Sequence, residues 1–170
     1  LDDVSIAVLS APPPGPAPVP GNLVANASFE TDINGWTKVG NATLSRVVGG
    51  LGGSYALQMT GASTFGCDDQ PNWVATVADT GAKYRLAAWV RSPSNTGKVK
   101  LSVLEYQGST QQGATVFSPE LSLSPGWQQL VADYTVLKAG STLSLRVTDT
   151  ATSSTETWLV DDVSIVLVWR

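Results

Sequence analysis

Tyr84-Arg85-Leu86-Ala87-Ala88-Trp89-Val90-Arg91 alternates: Tyr84, Leu86 and Val90 fall on one side, Arg85, Trp89 and Arg91 on the other. A period of two marks a β-strand with one buried face, because successive side chains of an extended chain point to opposite sides. The pattern recurs outward from this stretch. Lys98 to Tyr106 sets Val99, Leu101 and Val103 against Lys100, Ser102 and Leu104. Leu143, Leu145 and Val147 alternate with Ser144, Arg146 and Thr148, and Asp161, Val163, Ile165 and Leu167 are spaced to share a face of a final strand. Prolines 93, 119 and 125 and glycines 97, 108, 113, 126 and 140 punctuate these runs as turns. No stretch of ten residues carries a 3.6-residue period. The reading is an all-β fold, a two-sheet antiparallel β-sandwich of the jelly-roll kind.

Composition narrows the chemistry. The 170 residues include 14 acids, 10 bases, one cysteine and no histidine, for a net charge of −4. Without histidine there is no Ser-His-Asp or Cys-His nucleophile and no imidazole metal ligand. One cysteine makes no internal disulfide and no CxxC zinc pair. Any metal would be held by oxygen, which favours calcium or magnesium. No basic patch stands out, so no nucleic-acid partner is expected. The apolar runs are short, so no membrane span is expected. A chain of this size has room for one domain, burying roughly 70% of its unfolded surface. Leu1 is not an initiator and no signal peptide is visible, so the sequence reads as an excised piece of something longer. Abundant Ser, Thr, Gly and Asn fit a secreted, extracellular bacterial module.

A repeat divides the chain. Leu1-Asp2-Asp3-Val4-Ser5-Ile6 returns as Val160-Asp161-Asp162-Val163-Ser164-Ile165, identical over DDVSI. Between the copies, Ala11 to Gly21 holds six prolines, a composition that favours a semi-rigid polyproline II spacer. Residues 1–8 therefore read as the last strand of a preceding module, 9–21 as a linker, and 22–170 as one complete module.

Asn22-Leu23-Val24-Ala25-Asn26-Ala27-Ser28-Phe29-Glu30 with Gly35-Trp36 resembles the opening of carbohydrate-binding modules of families four, nine and twenty-two. Trp158 to Ile165 resembles their last strand, and Tyr84–Arg91 and Trp127–Val136 resemble their central strands. The resemblance implies a jelly roll that binds polysaccharide and carries a structural calcium. By resemblance its carboxylates are Glu30 and Asp161, with Asp162 as the alternative. Asp161 is also spaced in phase with Val163 and Ile165, and an inward carboxylate is costly unless paired or bound to a cation. The alternative is a solvated Asp161 at a frayed edge. Asp32-Ile33-Asn34-Gly35 opens like an EF-hand loop, but position 12 is Thr43, so a β-turn is expected. Cys67-Asp68-Asp69-Gln70-Pro71-Asn72 is a polar loop that either lines a ligand site or, the favoured reading, crosses the surface, with Cys67 buried or half-buried.

Sugar recognition needs aromatic rings for pyranose faces and planar polar groups for hydroxyls. Trp89, between Arg85 and Arg91, is the leading candidate, on a concave sheet face. Tyr106 is expected beside it and Trp73 at the rim of the cleft, with Gln129, Asp133 and Arg146 as hydrogen-bonding groups on neighbouring strands. The two arginines point to an acidic glycan unless they pair with Asp133 or Glu105. Trp36 and Trp127 are assigned to packing. No pair of glutamates shares a catalytic motif, so the chain is not expected to be an enzyme. The leading function is a non-catalytic carbohydrate-binding module of a secreted multimodular protein, with polysaccharide or oligosaccharide as ligand and catalytic or repeat modules appended. The alternative is a structural or adhesive repeat of a cell-surface protein that binds no sugar. An orphan strand at residues 1–8 also suggests strand exchange between molecules.

Overall fold

A computed structural model describes residues 19–70, 73–75, 79–94, 97–150 and 155–170. The expected strand at 1–8 and most of the linker at 9–21 lie outside them. Twelve strands are assigned: β1 Thr37–Val39, β2 Thr43–Val48, β3 Tyr55–Gly61, β4 Thr64–Asp68, β5 Val74–Ala75, β6 Lys83–Arg91, β7 Lys98–Gln107, β8 Thr110–Phe117, β9 Leu121–Ser122, β10 Gln128–Thr135, β11 Thr142–Thr150 and β12 Glu156–Trp169. All strand pairs are antiparallel. The first sheet runs β1-β4-β11-β7-β8, with β5 on β11 and β9 on β7; the second runs β10-β6-β12-β3-β2. Together they form the expected β-sandwich of the jelly-roll kind. No helix among the described residues is long and apolar enough to cross a membrane.

The alternation seen in the sequence becomes the core. Tyr84, Leu86 and Val90 of β6 face Val99, Leu101 and Val103 of β7 and Leu143, Leu145 and Val147 of β11, and all are at or near zero exposure. Each such aliphatic or aromatic side chain contributes about 1.5–3 kcal/mol by leaving water. Trp36 packs at a tilt against Phe29 with ring centroids 5.2 Å apart, and Trp158 meets Phe65 at 6.2 Å, so both are packing residues. Cys67 is fully buried. The Asp32 carboxylate accepts from the Asn34 backbone N–H at 2.9 Å, and Gly35 follows at φ 87°, which makes the expected turn.

Two irregularities bear on function. Gly113, expected between strands, lies inside β8, where the register against β7 shifts between Val103 and Glu105; its φ of 66° suits glycine. In β12 the register against β6 shifts between Asp161 and Ser164, with Asp162 at φ 43°. This bulge corrects the expected phase. Trp158 and Val160 face the core before it, Val163 and Ile165 after it, and Asp161 pairs with Trp89 on the outward side. An inserted residue resets the alternation, so Asp161 does not share the face of Val163.

The sheets are also clasped by a buried carboxylate. Glu105 accepts from Tyr134 Oη at 2.8 Å, Ser141 Oγ at 2.6 Å, and the backbone N–H groups of Leu137 and Lys138, both at 2.8 Å. Burial pushes its carboxyl up, but these four donors outweigh burial and hold it below the usual carboxylate range. Glu105 is therefore fully engaged and pairs with neither Arg85 nor Arg91.

Candidate functional site

The eight sequence-predicted ligand residues divide between two outward faces on opposite sides of the sandwich. Trp89, Arg85 and Arg91 of β6 lie on the outer face of the second sheet, with Gln129 opposite Trp89 and Asp133 opposite Arg85 on β10. Tyr106 of β7 and Arg146 of β11 lie on the outer face of the first sheet, where Trp73 joins them. Tyr106 and Trp73 are therefore not beside Trp89, and Arg146 is not on a strand next to Gln129. Alternation told which residues point outward but not which sheet each strand joins.

On the first sheet, Trp73 and Tyr106 stack nearly parallel, with centroids 4.6 Å apart and planes 9° from parallel. Asp68, at the end of β4, ties this pair to a guanidinium. Its Oδ1 accepts from Trp73 Nε1 at 3.3 Å, Ser144 Oγ at 3.1 Å and the Gln70 N–H at 3.1 Å. Its Oδ2 accepts from Arg146 Nη2 at 2.7 Å and Nε at 3.0 Å, a two-point fork. Asp68 is almost fully buried while Arg146 is about a third exposed, so the guanidinium reaches the surface from a fixed base. Asp69 lies beneath: its Oδ1 accepts from the Leu145 N–H at 3.0 Å, and its Oδ2 is buried without a partner. Burial pushes the Asp69 carboxyl up to about 8, with the Asp68 charge adding to the effect. Burial likewise raises the Cys67 thiol, so that side chain is inert packing. Cys67 is buried as expected, but Asp68 and Asp69 are buried too, against the favoured surface reading of this loop, and Asp68 organises the face. Nothing in a run of two aspartates distinguishes such a hub from a solvated turn. Farther along β7, Lys100 lies over the ring of Phe117 at 4.8 Å.

On the second sheet the two arginines flanking Trp89 are already engaged. Arg85 and Asp133 form a two-point pair at 2.8 and 2.9 Å, each side chain 56% exposed. That hydrogen-bonded guanidinium holds the Asp133 carboxyl below its usual range. Arg91 donates to the Gly49 carbonyl at 3.0 Å and lies over the Trp127 ring at 4.9 Å. Trp127 is therefore the platform for Arg91, a structural role. Trp89 is half-buried beside a cavity of about 310 Å³ whose lining includes Gln129, Asn22, Glu30, Asp162 and Ser164.

The expected metal ligands meet at the edge of that cavity. Glu30 accepts from the backbone N–H groups of Ser54 at 3.1 Å and Tyr55 at 2.9 Å. Asp161 accepts from the Leu51 N–H at 2.6 Å and the Asp162 N–H at 2.8 Å, and burial pushes its carboxyl up to about 7. Asp162 Oδ2 is buried with no donor, and burial plus the Glu30 charge raise its pKa. A Cβ on Gly52 would collide with the Asp162 carboxylate, and one on Gly53 with Glu30, so these glycines let the loop lie against both carboxylates as they stand. Asp161 anchors the loop, while Glu30 and Asp162 crowd their charges together. An oxygen-bound cation fits that orphaned oxygen and that repulsion. Among the described residues no group of three or more acid, histidine or cysteine side chains is arranged to hold a metal, so backbone carbonyls would have to complete its shell.

Solved structures share this architecture. The CBM22-1–GH10 modules of Clostridium thermocellum endo-1,4-β-D-xylanase 10B, complexed with xylohexaose, superpose with a TM-score of 0.65 at 21% identity; the match covers 86% of this chain and 28% of that one. The CBM22-1 xylan-binding domain from Paenibacillus barcinonensis gives 0.62 at 19% identity, covering 85% and 93%. TmCBM61 in complex with β-1,4-galactotriose gives 0.61 at 16%, covering 86% and 98%. At these identities the likeness is one of fold. No curated protein matches the sequence. The model of the carbohydrate-binding domain family CBM_4_9 matches residues 21–155, and the chain belongs to that family.

Proposed function

We propose that this domain binds the interior of a polysaccharide chain along the outer face of the first sheet, as a non-catalytic module of a secreted multimodular protein. The observation that carries the reading is the Asp68 hub, which holds Trp73 and Arg146 in place beside Tyr106. An aromatic surface for a pyranose ring and a guanidinium for its hydroxyls are thus ordered before any ligand arrives, which lowers the entropic cost of binding. On the outward side of β7, Tyr106 and Lys100 are half-buried while Ser102 and Leu104 between them are buried, so the contacts open to a sugar centre on Tyr106, Trp73 and Arg146. The neighbours solved with xylohexaose and with β-1,4-galactotriose support a neutral pyranose chain as ligand. On the second sheet Arg85 and Arg91 are already engaged, which weakens an acidic-glycan reading built on them.

The test is affinity electrophoresis against xylan, galactan and mixed-linkage glucan. Wild type should be retarded by at least one. Tyr106→Ala should lose that retardation, by about tenfold in affinity or more, while keeping its thermal midpoint within a few degrees. If no glycan slows the wild type, the adhesive-scaffold reading takes its place. Linked to a catalytic module, such a domain raises that module's local concentration on its substrate.

Calcium belongs to the same proposal, with Glu30 and Asp162 as side-chain ligands and Asp161 holding the Gly50–Gly52 loop. Bound there it neutralises two crowded carboxylates and serves stability. EDTA should lower the thermal midpoint, and added calcium should restore it; an unchanged midpoint removes calcium from the account. Residues 1–8 may be tested by light scattering of the chain with and without them, where equal monomer masses would exclude strand exchange.

A further inference from the structure

The cavity beside Trp89 lies on the sheet opposite the proposed glycan face, with the Glu30 and Asp162 carboxylates at one edge. We infer that it is a second, separate sugar site, shaped for the terminal ring of a short oligosaccharide. Its floor is the second sheet, where Trp89 of β6 is flanked by Gln129 of β10 and by β12. Its wall is the segment from Val19 to Glu30. That wall is fastened to β12 by Leu23 N–H to the Ile165 carbonyl at 3.0 Å and Val163 N–H to the Ala27 carbonyl at 3.0 Å. Asn22 adds a two-way bond, donating to the Val163 carbonyl at 2.9 Å and accepting from the Ile165 N–H at 3.0 Å. The cavity is thus built on hydrogen-bonded backbone.

Its chemistry suits a hydroxyl-rich ring. Trp89 presents a half-buried indole. The Gln129 amide and the Ser28 and Ser164 hydroxyls line the same space, and none has a side-chain hydrogen bond among the described residues. An aromatic surface ringed by unengaged donors and acceptors is what sugar recognition requires. Size sets the ligand's length. A volume of about 310 Å³ lies at the small end of the range for ligand pockets, roughly 300–1,000 Å³, enough for one or two rings. The fastened wall closes one side, so a chain end fits and a continuous polymer does not. The polymer site proposed above lies on the opposite sheet. A domain with both would hold a polymer on one side and a chain terminus on the other.

The test uses the full chain in calcium-containing buffer, with xylose, galactose, xylobiose and β-1,4-galactobiose as probes, read by calorimetry and tryptophan fluorescence. One of these should bind wild type. Trp89→Ala should weaken that binding about tenfold or more, and Gln129→Ala about three- to tenfold. Gln129 is exposed and makes no side-chain bond, so its variant keeps the fold intact if Trp89→Ala does not. Tyr106→Ala should leave short-sugar binding unchanged, while Trp89→Ala leaves polysaccharide retardation unchanged. Loss of short-sugar binding in Tyr106→Ala, no binding by wild type, or unchanged binding in Gln129→Ala would each overturn the second site. None of these outcomes touches the polysaccharide face, which stands or falls on electrophoresis.

Discussion

Two arginine–aspartate forks sit on opposite faces of this domain, and their difference is instructive. Arg146–Asp68 and Arg85–Asp133 have nearly equal bond lengths, 2.7 and 2.8 Å. The first rests on a carboxylate that is 4% exposed, the second on one that is 56% exposed. Solvent screens the exposed pair, so it adds little to stability and fixes nothing beyond its own two side chains. The buried carboxylate must satisfy all its lone pairs inside the protein, and it recruits Trp73, Ser144 and Gln70 as well as Arg146. Burial turns an ion pair into a scaffold, because an unmet buried charge is costly.

The sharpest way to break this contrast is to remove each aspartate. Asp68→Ala strands the Arg146 guanidinium and leaves the Ser144 hydroxyl and the Trp73 indole N–H without their acceptor. It should cost about 2–4 kcal/mol in chemical denaturation and abolish polysaccharide retardation. An intermediate measure concerns the neighbouring Asp69. Burial raises its folded pKa from 3.8 to about 8, so between those values the native state keeps a proton that the unfolded chain releases. Stability must therefore fall as pH rises across that window and level off above it. Asp69→Asn keeps the acceptor for the Leu145 N–H and cannot ionise. Its advantage over wild type should grow steadily from nothing near pH 4 to a plateau above pH 8, measured by urea unfolding at several pH values. A parallel pH profile for the two proteins would show that Asp69 is ionised in the fold. The smallest effect is expected for Asp133→Ala, with no change in glycan binding and a shift in midpoint too small to resolve. A loss comparable to that of Asp68→Ala would refute the assignment of function by burial.

Much of the architecture was legible in the chain. Tyr84–Arg91, Lys98–Tyr106 and Leu143–Thr148 alternate cleanly, and each became a strand with the expected face buried. Trp36 was read as packing and is buried. The candidate site was legible only in part. The sequence marks Trp73, Tyr106 and Arg146 as candidates, with Tyr106 expected beside Trp89, but it carries no sign that the thickness of the sandwich separates all three from Trp89. Asp161 was read as inward because an even spacing to Val163 and Ile165 implies a shared face, and the bulge at Asp162 breaks that spacing.

The sequence by itself determined the β-class, the inward and outward residues of each regular strand, the absence of histidine chemistry and the family to which the ends of the domain belong. These follow from local periodicity and composition, which need no knowledge of what lies next to what. Tertiary structure alone decided which sheet each strand joins, that Asp68 is a hub and Asp133 a surface charge, and that Glu30 and Asp162 converge. Those depend on strand pairing across tens of residues and on a single inserted residue in β12. Alternation carries no label for the sheet, and an aspartate in a sequence carries no label for its burial.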